Sequence, residues 1–258
     1  MLTLSPVKAF SDNYIWVLHN QNAAIAIDPG DAGPLQDFLD AQGIALQAVL
    51  ITHKHSDHIG GLDTLLRRQP ALAVFGPSTL AQATRRVSAG ARIDLLGLEF
   101  EVFAVPGHTL DHLAYHAAPW LFCGDTLFGA GCGRLFEGTP AQMRASLGRL
   151  ASLPPTTLIC AAHEYTLSNL HFARAVENAN PEITRRLIAD QGKRDQDLPT
   201  LPSTLALELA TNPFLRTACD SVKKAVEIYC ARQITDADEV FAELRSWKNG
   251  FRADSANK

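Results

Sequence analysis

The sequence lacks the usual features of a secreted or membrane-bound protein. Its 258 residues include five cysteines, an odd number, and no two of them form a CxxC pair. This usage is typical of a reducing compartment and does not support a disulfide framework. No apolar run approaches membrane-spanning length, and the first segment, MLTLSPVKAF, has no signal-peptide core. The sequence therefore predicts a cytoplasmic protein that has no membrane partner.

The chain also lacks an excess of positive charge. Its formal net charge is -4 and its pI is about 6.1, which argues against a general nucleic-acid binder. Hydrophobic residues make up 47% of the chain and charged residues 19%. This balance is typical of soluble globular proteins. Since 258 residues are enough for a sizeable core, we expect one large domain or two smaller ones.

Short apolar segments alternate with loops and helices over the first two-thirds of the chain. The predicted helices there are 34–42, ended by Gly43, and 62–69, ended by Pro70. The predicted strands are 14–18, 24–27, 48–51, 73–75, 100–105, 121–122 and 157–160.

From about Thr166 the pattern changes to helical spacing. Thr235 is the expected N-cap of the last helix, whose apolar stripe would include Val240, Phe241 and Leu244. The pattern therefore predicts an α/β catalytic domain, residues 1–165, and a smaller all-helical C-terminal domain, residues 166–258. The helices predicted in this second domain are 177–190, 203–211, 216–231 and 236–248, with a proline-containing loop at 195–202.

The densest group of metal-binding side chains directly follows one predicted strand. His53, His55, Asp57 and His58 lie within the seven residues 52–58. Imidazoles this close repel one another when protonated and gain most from sharing a cation. A polar loop with histidines by chance is the alternative, but the density favours a metal site.

Three later strands are each followed by another candidate ligand. Strand 100–105 precedes His108, strand 121–122 precedes Asp125, and strand 157–160 precedes His163. Each residue alone would also suit a structural role. Because ligands in α/β proteins cluster beyond the carboxyl ends of strands, we expect all three to join the first group.

The complete set has seven donors, five histidines and two aspartates. One catalytic zinc takes about three protein ligands and a water, so seven donors suit two ions that share a hydroxide. Imidazole with carboxylate fits zinc, iron(II) or manganese. We expect two divalent ions; the donor set does not rank the three metals, and zinc is our expectation, with iron or manganese as alternatives.

The ligand motif resembles that of the metallo-β-lactamase superfamily, whose fold is an αββα sandwich. Further segments are similar to one branch of it, glyoxalase II (hydroxyacylglutathione hydrolase), and the resemblance covers nearly the whole chain. The segments that carry it are Ser11-Asp12-Asn13-Tyr14, Gly131-Cys132-Gly133-Arg134, His163-Glu164-Tyr165-Thr166 and Asn212-Pro213-Phe214.

This resemblance implies a division of the ligands. Asp125 would bridge the two ions, and Asp57 and His58 are the predicted catalytic residues, since Asp57 can both ligate a metal and orient the nucleophile. One ion would be held by His53, His55 and His108, and the other by Asp57, His58 and His163.

The resemblance also implies the substrate, a small-molecule glutathione thioester bound by a monomer. S-D-lactoylglutathione would be hydrolysed to glutathione and D-lactate, the second step of methylglyoxal detoxification. Arg134 stands where many relatives have lysine, and Phe136 stands where some have tyrosine. The substrate-binding residues carried over are Arg134, Leu135, Phe136, His163, Glu164, Tyr165, Arg245, Ser246, Trp247 and Lys248.

Other interpretations remain open from the residues. A glutathione persulfide dioxygenase of the same superfamily would use a single iron and would lack the second ligand set and the helical tail. A nuclease would need a basic surface, and a non-catalytic metal-binding module would bind metal without hydrolysis. The pair Arg245 and Lys248 also suits a solvated helix face. Four further histidines are expected to be structural or exposed, and Cys132 is expected to have a packing role; the histidines are His19, His112, His116 and His171.

Overall fold

Two six-stranded sheets and a short hairpin contain all the strands of the computed structural model, which describes residues 1–252. The first sheet, in spatial order, consists of β1 (Thr3–Ala9), β2 (Asn13–His19), β3 (Ala23–Ile27), β4 (Ala45–Leu50), β5 (Ala73–Gly76) and β6 (Arg85–Arg86). The second consists of β7 (Arg92–Leu95), β8 (Leu98–Ala104), β9 (Leu113–Ala117), β10 (Trp120–Gly124), β13 (Leu158–Ala161) and β14 (Ser203–Thr204). The hairpin is β11 (Leu127–Phe128) with β12 (Gly131–Cys132).

Strand β2 shows how the layers are stacked. Successive side chains of a strand point to opposite faces. Trp16 and Leu18 belong to the hydrophobic cluster shared with the second sheet, whereas Ile15 and Val17 belong to a separate cluster. The first sheet is therefore covered on both faces, which explains why β2 is buried along almost its whole length.

Helices cover the outer faces of both sheets. Leu35 and Leu65 pack on the first sheet, and Leu147 and Phe241 belong to the cluster of the second. The predicted αββα sandwich and the helical C-terminal region are thus confirmed. The helices are α1 (Ala32–Gln42), α2 (Ser56–Ile59), α3 (Leu62–Arg68), α4 (Pro140–Ala151), α5 (Thr166–Val176), α6 (Pro181–Arg194), α7 (Leu205–Thr211), α8 (Asp220–Cys230) and α9 (Ala237–Gly250), with a 3₁₀ helix at Pro213–Leu215.

The early elements match the prediction closely, including the end of α1 at Gly43, which adopts the left-handed conformation. Strands β1, β7 and β9 were not predicted. Helix α4 was also not predicted, although Thr139 and Gln142 form a capping box in front of its apolar face.

The predicted helix boundaries in the C-terminal region are partly wrong. Helix 177–190 begins only at Pro181, because Asn180 caps it, and α5 lies before the break. Residues 203–204 form strand β14 on the edge of the second sheet, so the region is not purely helical. Asp236, not Thr235, caps α9, since its side chain accepts a hydrogen bond from the Glu239 amide. None of the helices within residues 1–252 is both long enough and apolar enough to span a membrane.

Candidate metal centre

The seven predicted ligands come together at one end of the sandwich. His53 and His55 lie in the loop after β4, and Asp57 and His58 lie in α2. The remaining three ligands, His108, Asp125 and His163, follow β8, β10 and β13. Because β4 belongs to the first sheet and the other three strands to the second, the site lies where the two sheets meet.

Three imidazoles form the first group of donors. His55 Nδ1 lies 3.0 Å from His53 Nε2 and 2.9 Å from His108 Nε2. Hydrogen bonds fix the Nδ1 atoms of His53 and His108 as donors, so that the lone pairs of their Nε2 atoms face the site. His108 Nδ1 donates to the Arg134 carbonyl (2.8 Å). These three nitrogens can hold one cation.

Asp28 orients ligands from both groups. Its carboxylate accepts hydrogen bonds from the Thr52 hydroxyl (2.7 Å) and from His58 Nδ1 (3.0 Å). Since the Thr52 hydroxyl donates to Asp28, it accepts from His53 Nδ1 (3.0 Å). The Nε2 atoms of His53 and His58 are therefore both directed away from Asp28 and into the site.

The second group combines Asp57, His58 and His163. Asp57 Oδ2 lies 3.5 Å from His58 Nε2 and 3.4 Å from His163 Nε2. Asn13 donates to the same oxygen (3.1 Å), and His163 Nδ1 donates to Asp12 (2.8 Å). Each donor of this group is thus held by a partner outside the group, as in metal sites generally.

Asp125 lies between the two groups. Its Oδ2 is 3.3 Å from His108 Nε2, and its Oδ1 is 3.4 Å from His58 Nε2 and 3.3 Å from His163 Nε2. The Asp125 amide donates to His112 Nε2 (3.1 Å), so that His112 has a structural role. A carboxylate with one oxygen directed at each group is suited to bridge two cations.

Two buried atoms indicate that a cation belongs here. His58 Nε2 and Asp125 Oδ1 have no hydrogen-bond partner among residues 1–252, although both are fully buried. Such atoms are costly unless a ligand satisfies them. The donor set of imidazoles and carboxylates fits a divalent metal ion.

The ionisation of the site supports the same conclusion. Burial, reinforced by the neighbouring His58, keeps the pKa of His53 well below its usual value, so that this ligand is neutral. The neighbouring His163 imidazole lowers the pKa of Asp57. Burial opposes the charged form of His163, yet Asp125 and Asp57 raise its pKa to about 11. The carboxylates of Asp57 and Asp125 thus favour positive charge at His163 Nε2, where either a proton or a metal ion can supply it.

Close backbone contacts hold the ligand loop. A Cβ atom added to Gly30 would lie 1.8 Å from the Asp57 carbonyl oxygen, so no other residue fits there without a shift. The turn that carries Asp28 and Gly30 thus lies directly against α2. No role in the site was predicted for Asp28, which directly follows the predicted strand 24–27.

A cavity of about 760 Å³ extends from the ligands to the C-terminal helices. Its lining includes Phe128, Ser168 and Asn169, which were not predicted, and the unpredicted cation Arg252. Six of the predicted substrate-binding residues also line it, namely Arg134, Phe136, His163, Tyr165, Arg245 and Lys248.

The other four predicted substrate-binding residues do not line this cavity: Leu135, Glu164, Ser246 and Trp247. The Glu164 carboxylate accepts hydrogen bonds from the Tyr14 hydroxyl (2.8 Å) and from the Thr200 amide (2.8 Å), and it therefore joins β2 to the C-terminal region. The indole of Trp247 stacks on Tyr229.

The two basic residues of α9 differ in their surroundings. Arg245 is only 5% exposed and already donates to the Cys132 carbonyl (2.9 Å) and to Asn249 (3.1 Å). Lys248 donates to the Ser168 carbonyl (3.1 Å) and retains further N–H groups. Both side chains therefore have protein partners, and the alternative that they form a solvated helix face does not apply.

The fold and the ligand geometry define a divalent-metal protein of the metallo-β-lactamase type. Residues 10–163 match the metallo-beta-lactamase superfamily, and residues 164–251 match the family described as hydroxyacylglutathione hydrolase C-terminus. The chain belongs to the hydroxyacylglutathione hydrolase family. A curated relative of that name from Albidiferax ferrireducens is 48% identical, and the match covers 97% of this chain and 100% of the relative.

Solved structures agree on the fold. ETHE1 from Myxococcus xanthus is similar with a TM-score of 0.68 and 23% identity, over 98% of this chain and 93% of that one. TTHA1623 in a di-iron-bound form is similar with a TM-score of 0.60 and 26% identity, over 82% of this chain and 100% of that one.

Proposed function

We propose that this protein hydrolyses S-(2-hydroxyacyl)glutathione, with S-D-lactoylglutathione as the typical substrate, to glutathione and a 2-hydroxy carboxylate. One observation carries the proposal. A single cavity joins the metal ligands to the cations Arg134, Arg245, Lys248 and Arg252. If the anionic glutathione part of the substrate binds these cationic side chains, its thioester carbonyl would lie next to the metal ligands. Relatives named hydroxyacylglutathione hydrolase support the same activity.

We propose two divalent ions, with zinc as the expected metal. The donor groups on either side of Asp125, and the di-iron form of TTHA1623, support this number. Bound ions would supply hydroxide at neutral pH and polarise the thioester carbonyl. One ion would be held by His53, His55 and His108, the other by Asp57, His58 and His163, with Asp125 shared.

The protein's own residues have orienting roles in this reaction. Asn13 holds the Asp57 carboxylate, whose free oxygen can position the nucleophile and accept its hydrogen bond. Asp28 keeps His58 in one tautomer. The thiol of the leaving group has a solution pKa of roughly 8.5, so it can depart as a thiolate without a strong general acid.

Binding of the anionic glutathione part of the substrate depends on local positive charge, because the chain as a whole carries a net charge of -4. Lys248 and Arg134 both line the cavity, and the Arg134 carbonyl accepts a hydrogen bond from His108, which places Arg134 next to the metal ligands. We propose Lys248 as the principal carboxylate contact, with Arg134 next to the peptide.

Three further proposals concern organisation. We propose a catalytic domain at residues 1–165 and a substrate-binding domain at residues 166–258, which the change of family match at residue 164 supports. We also propose a monomer that acts in the cytoplasm. No nucleic-acid or membrane partner is proposed.

A purified-protein assay tests the function. S-D-lactoylglutathione should be consumed with release of one free thiol per thioester, and a lactoyl thioester of a small uncharged thiol should be a far poorer substrate. Equal rates for the two thioesters would contradict the role of the cavity cations. Consumption of oxygen on glutathione persulfide, with one iron bound and no thioester turnover, would favour the persulfide dioxygenase instead.

A further inference from the structure

The hairpin β11–β12 is held by side chains from the C-terminal region. Each of its strands has only two residues, and isolated two-stranded hairpins are marginally stable at best. Five hydrogen bonds join the hairpin backbone to side chains of that region: Asn169 Nδ2 to Gly129 O (3.0 Å), Asn212 Nδ2 to Phe128 O (3.2 Å) and to Gly131 O (2.9 Å), Arg245 Nη1 to Cys132 O (2.9 Å), and Ala130 N to Glu208 Oε2 (2.8 Å).

The conformation of the hairpin turn needs such support. Ala130 has a φ of +52°, a left-handed conformation that residues other than glycine rarely adopt. Such a conformation persists where surrounding contacts enforce it. Glu208 accepts the Ala130 amide and is itself held by Arg186 (2.6 Å), with both side chains buried.

The hairpin connects two parts of the metal centre. It begins two residues after Asp125, and it ends two residues before Arg134, whose carbonyl accepts the hydrogen bond from His108. The backbone of Gly133, which follows the hairpin, packs against Asp125, since an added Cβ atom would lie 1.9 Å from the Asp125 carbonyl oxygen. A displaced hairpin would therefore move one ligand and release the orientation of another.

Asn212 makes two of these five hydrogen bonds. It is fully buried, and its amide group donates to carbonyls on both strands of the hairpin. We infer that Asn212 is a positioning residue for the metal centre, so that the C-terminal region sets the ligand geometry of Asp125 and His108 as well as lining the cavity. This inference rests on the proposed ligand roles of these two residues.

The chain offers a closely matched control in Asn180. Both asparagines cap a helix through Oδ1, to the amides of Glu182 and Phe214, and both precede a proline. The amide of Asn180 donates to the Ala210 carbonyl, within the C-terminal region, instead of to the hairpin. Serine keeps an oxygen that can cap the helix but lacks the amide N–H donors. Asn212→Ser therefore loses hydrogen bonds to the hairpin, whereas Asn180→Ser loses a hydrogen bond within the C-terminal region.

Zinc affinity of the full-length protein, measured by competition with a chromophoric chelator, provides a readout that needs no thioester. We expect Asn212→Ser to bind zinc about tenfold more weakly, as with other residues that orient ligands, while Asn180→Ser stays within about twofold of the parent. Unchanged affinity in Asn212→Ser, or an equal loss in both variants, would overturn the inference. These outcomes do not depend on whether S-D-lactoylglutathione is hydrolysed.

A second variant covers the case in which Asn212→Ser does not fold. Among residues 1–252, the Asn169 side chain donates one hydrogen bond, to the Gly129 carbonyl, and Asn169→Ala removes it. A loss of zinc affinity of about threefold or more in this folded variant supports the positioning role, and an affinity equal to that of the parent contradicts it.

Discussion

Lys248 provides the sharpest test of how substrate is held. Its ammonium group lies 5.3 Å from the centre of the Phe172 ring, and its hydrogen bond to Ser168 leaves other N–H groups for a substrate carboxylate. A hydrogen bond between charged groups contributes about 1.5–3 kcal/mol, so Lys248→Ala should raise KM by roughly 10- to 150-fold. Because this contact is remote from the reacting carbonyl, kcat should change little.

The pH dependence of KM gives an independent readout of the same contact. Burial, with a contribution from Arg245, lowers the pKa of Lys248 to about 8. The side chain is charged below this pH and neutral above it, so KM should rise above about pH 8, by up to tenfold per pH unit. In Lys248→Arg the guanidinium stays charged, and this rise should disappear.

Steady-state hydrolysis of S-D-lactoylglutathione at several pH values measures both effects. Lys224→Ala, an exposed change on α8 away from the cavity, is the control and should leave KM unaltered. An unchanged KM in Lys248→Ala, or the same pH profile in Lys248→Arg as in the parent, would refute the assigned contact.

Three further predictions concern other residues. Asp28→Asn should weaken zinc binding about 10- to 100-fold, measured by chelator competition, because His58 loses its carboxylate partner; retention of parental affinity would contradict this. Glu164→Gln should lower the melting temperature but leave KM unchanged, since the carboxylate is occupied by Tyr14 and Thr200; a raised KM would show a substrate contact. Phe136→Tyr should lower KM by about two- to tenfold through a new hydroxyl contact, and an equal or higher KM would exclude one.

The clustering of the candidate metal ligands could be predicted because their positions follow from the chain pattern. Each of them comes shortly after an apolar strand, and strands that pack in one sandwich bring their ends together. The identity of the donors, imidazole and carboxylate, then limits the chemistry. Asp125 at the centre of the site is the clearest example, since in sequence it resembles an ordinary turn residue.

The surroundings of each side chain could not be predicted in the same way. Asp28 follows β3 as part of a turn, and only the folded chain shows that it orients His58. Glu164 is adjacent to the ligand His163, yet its carboxylate is occupied by other groups. Such roles depend on contacts between residues far apart in the chain, which neither spacing nor residue type reveals.

The central claim is that two metal ions and the glutathione-binding cavity act together in thioester hydrolysis. Titration of the metal-free protein with zinc, with S-D-lactoylglutathione turnover followed at each addition, tests it most directly. The ligand set predicts that activity rises until about two zinc ions are bound per chain. Full activity with one ion, or two bound ions without turnover, would contradict the claim.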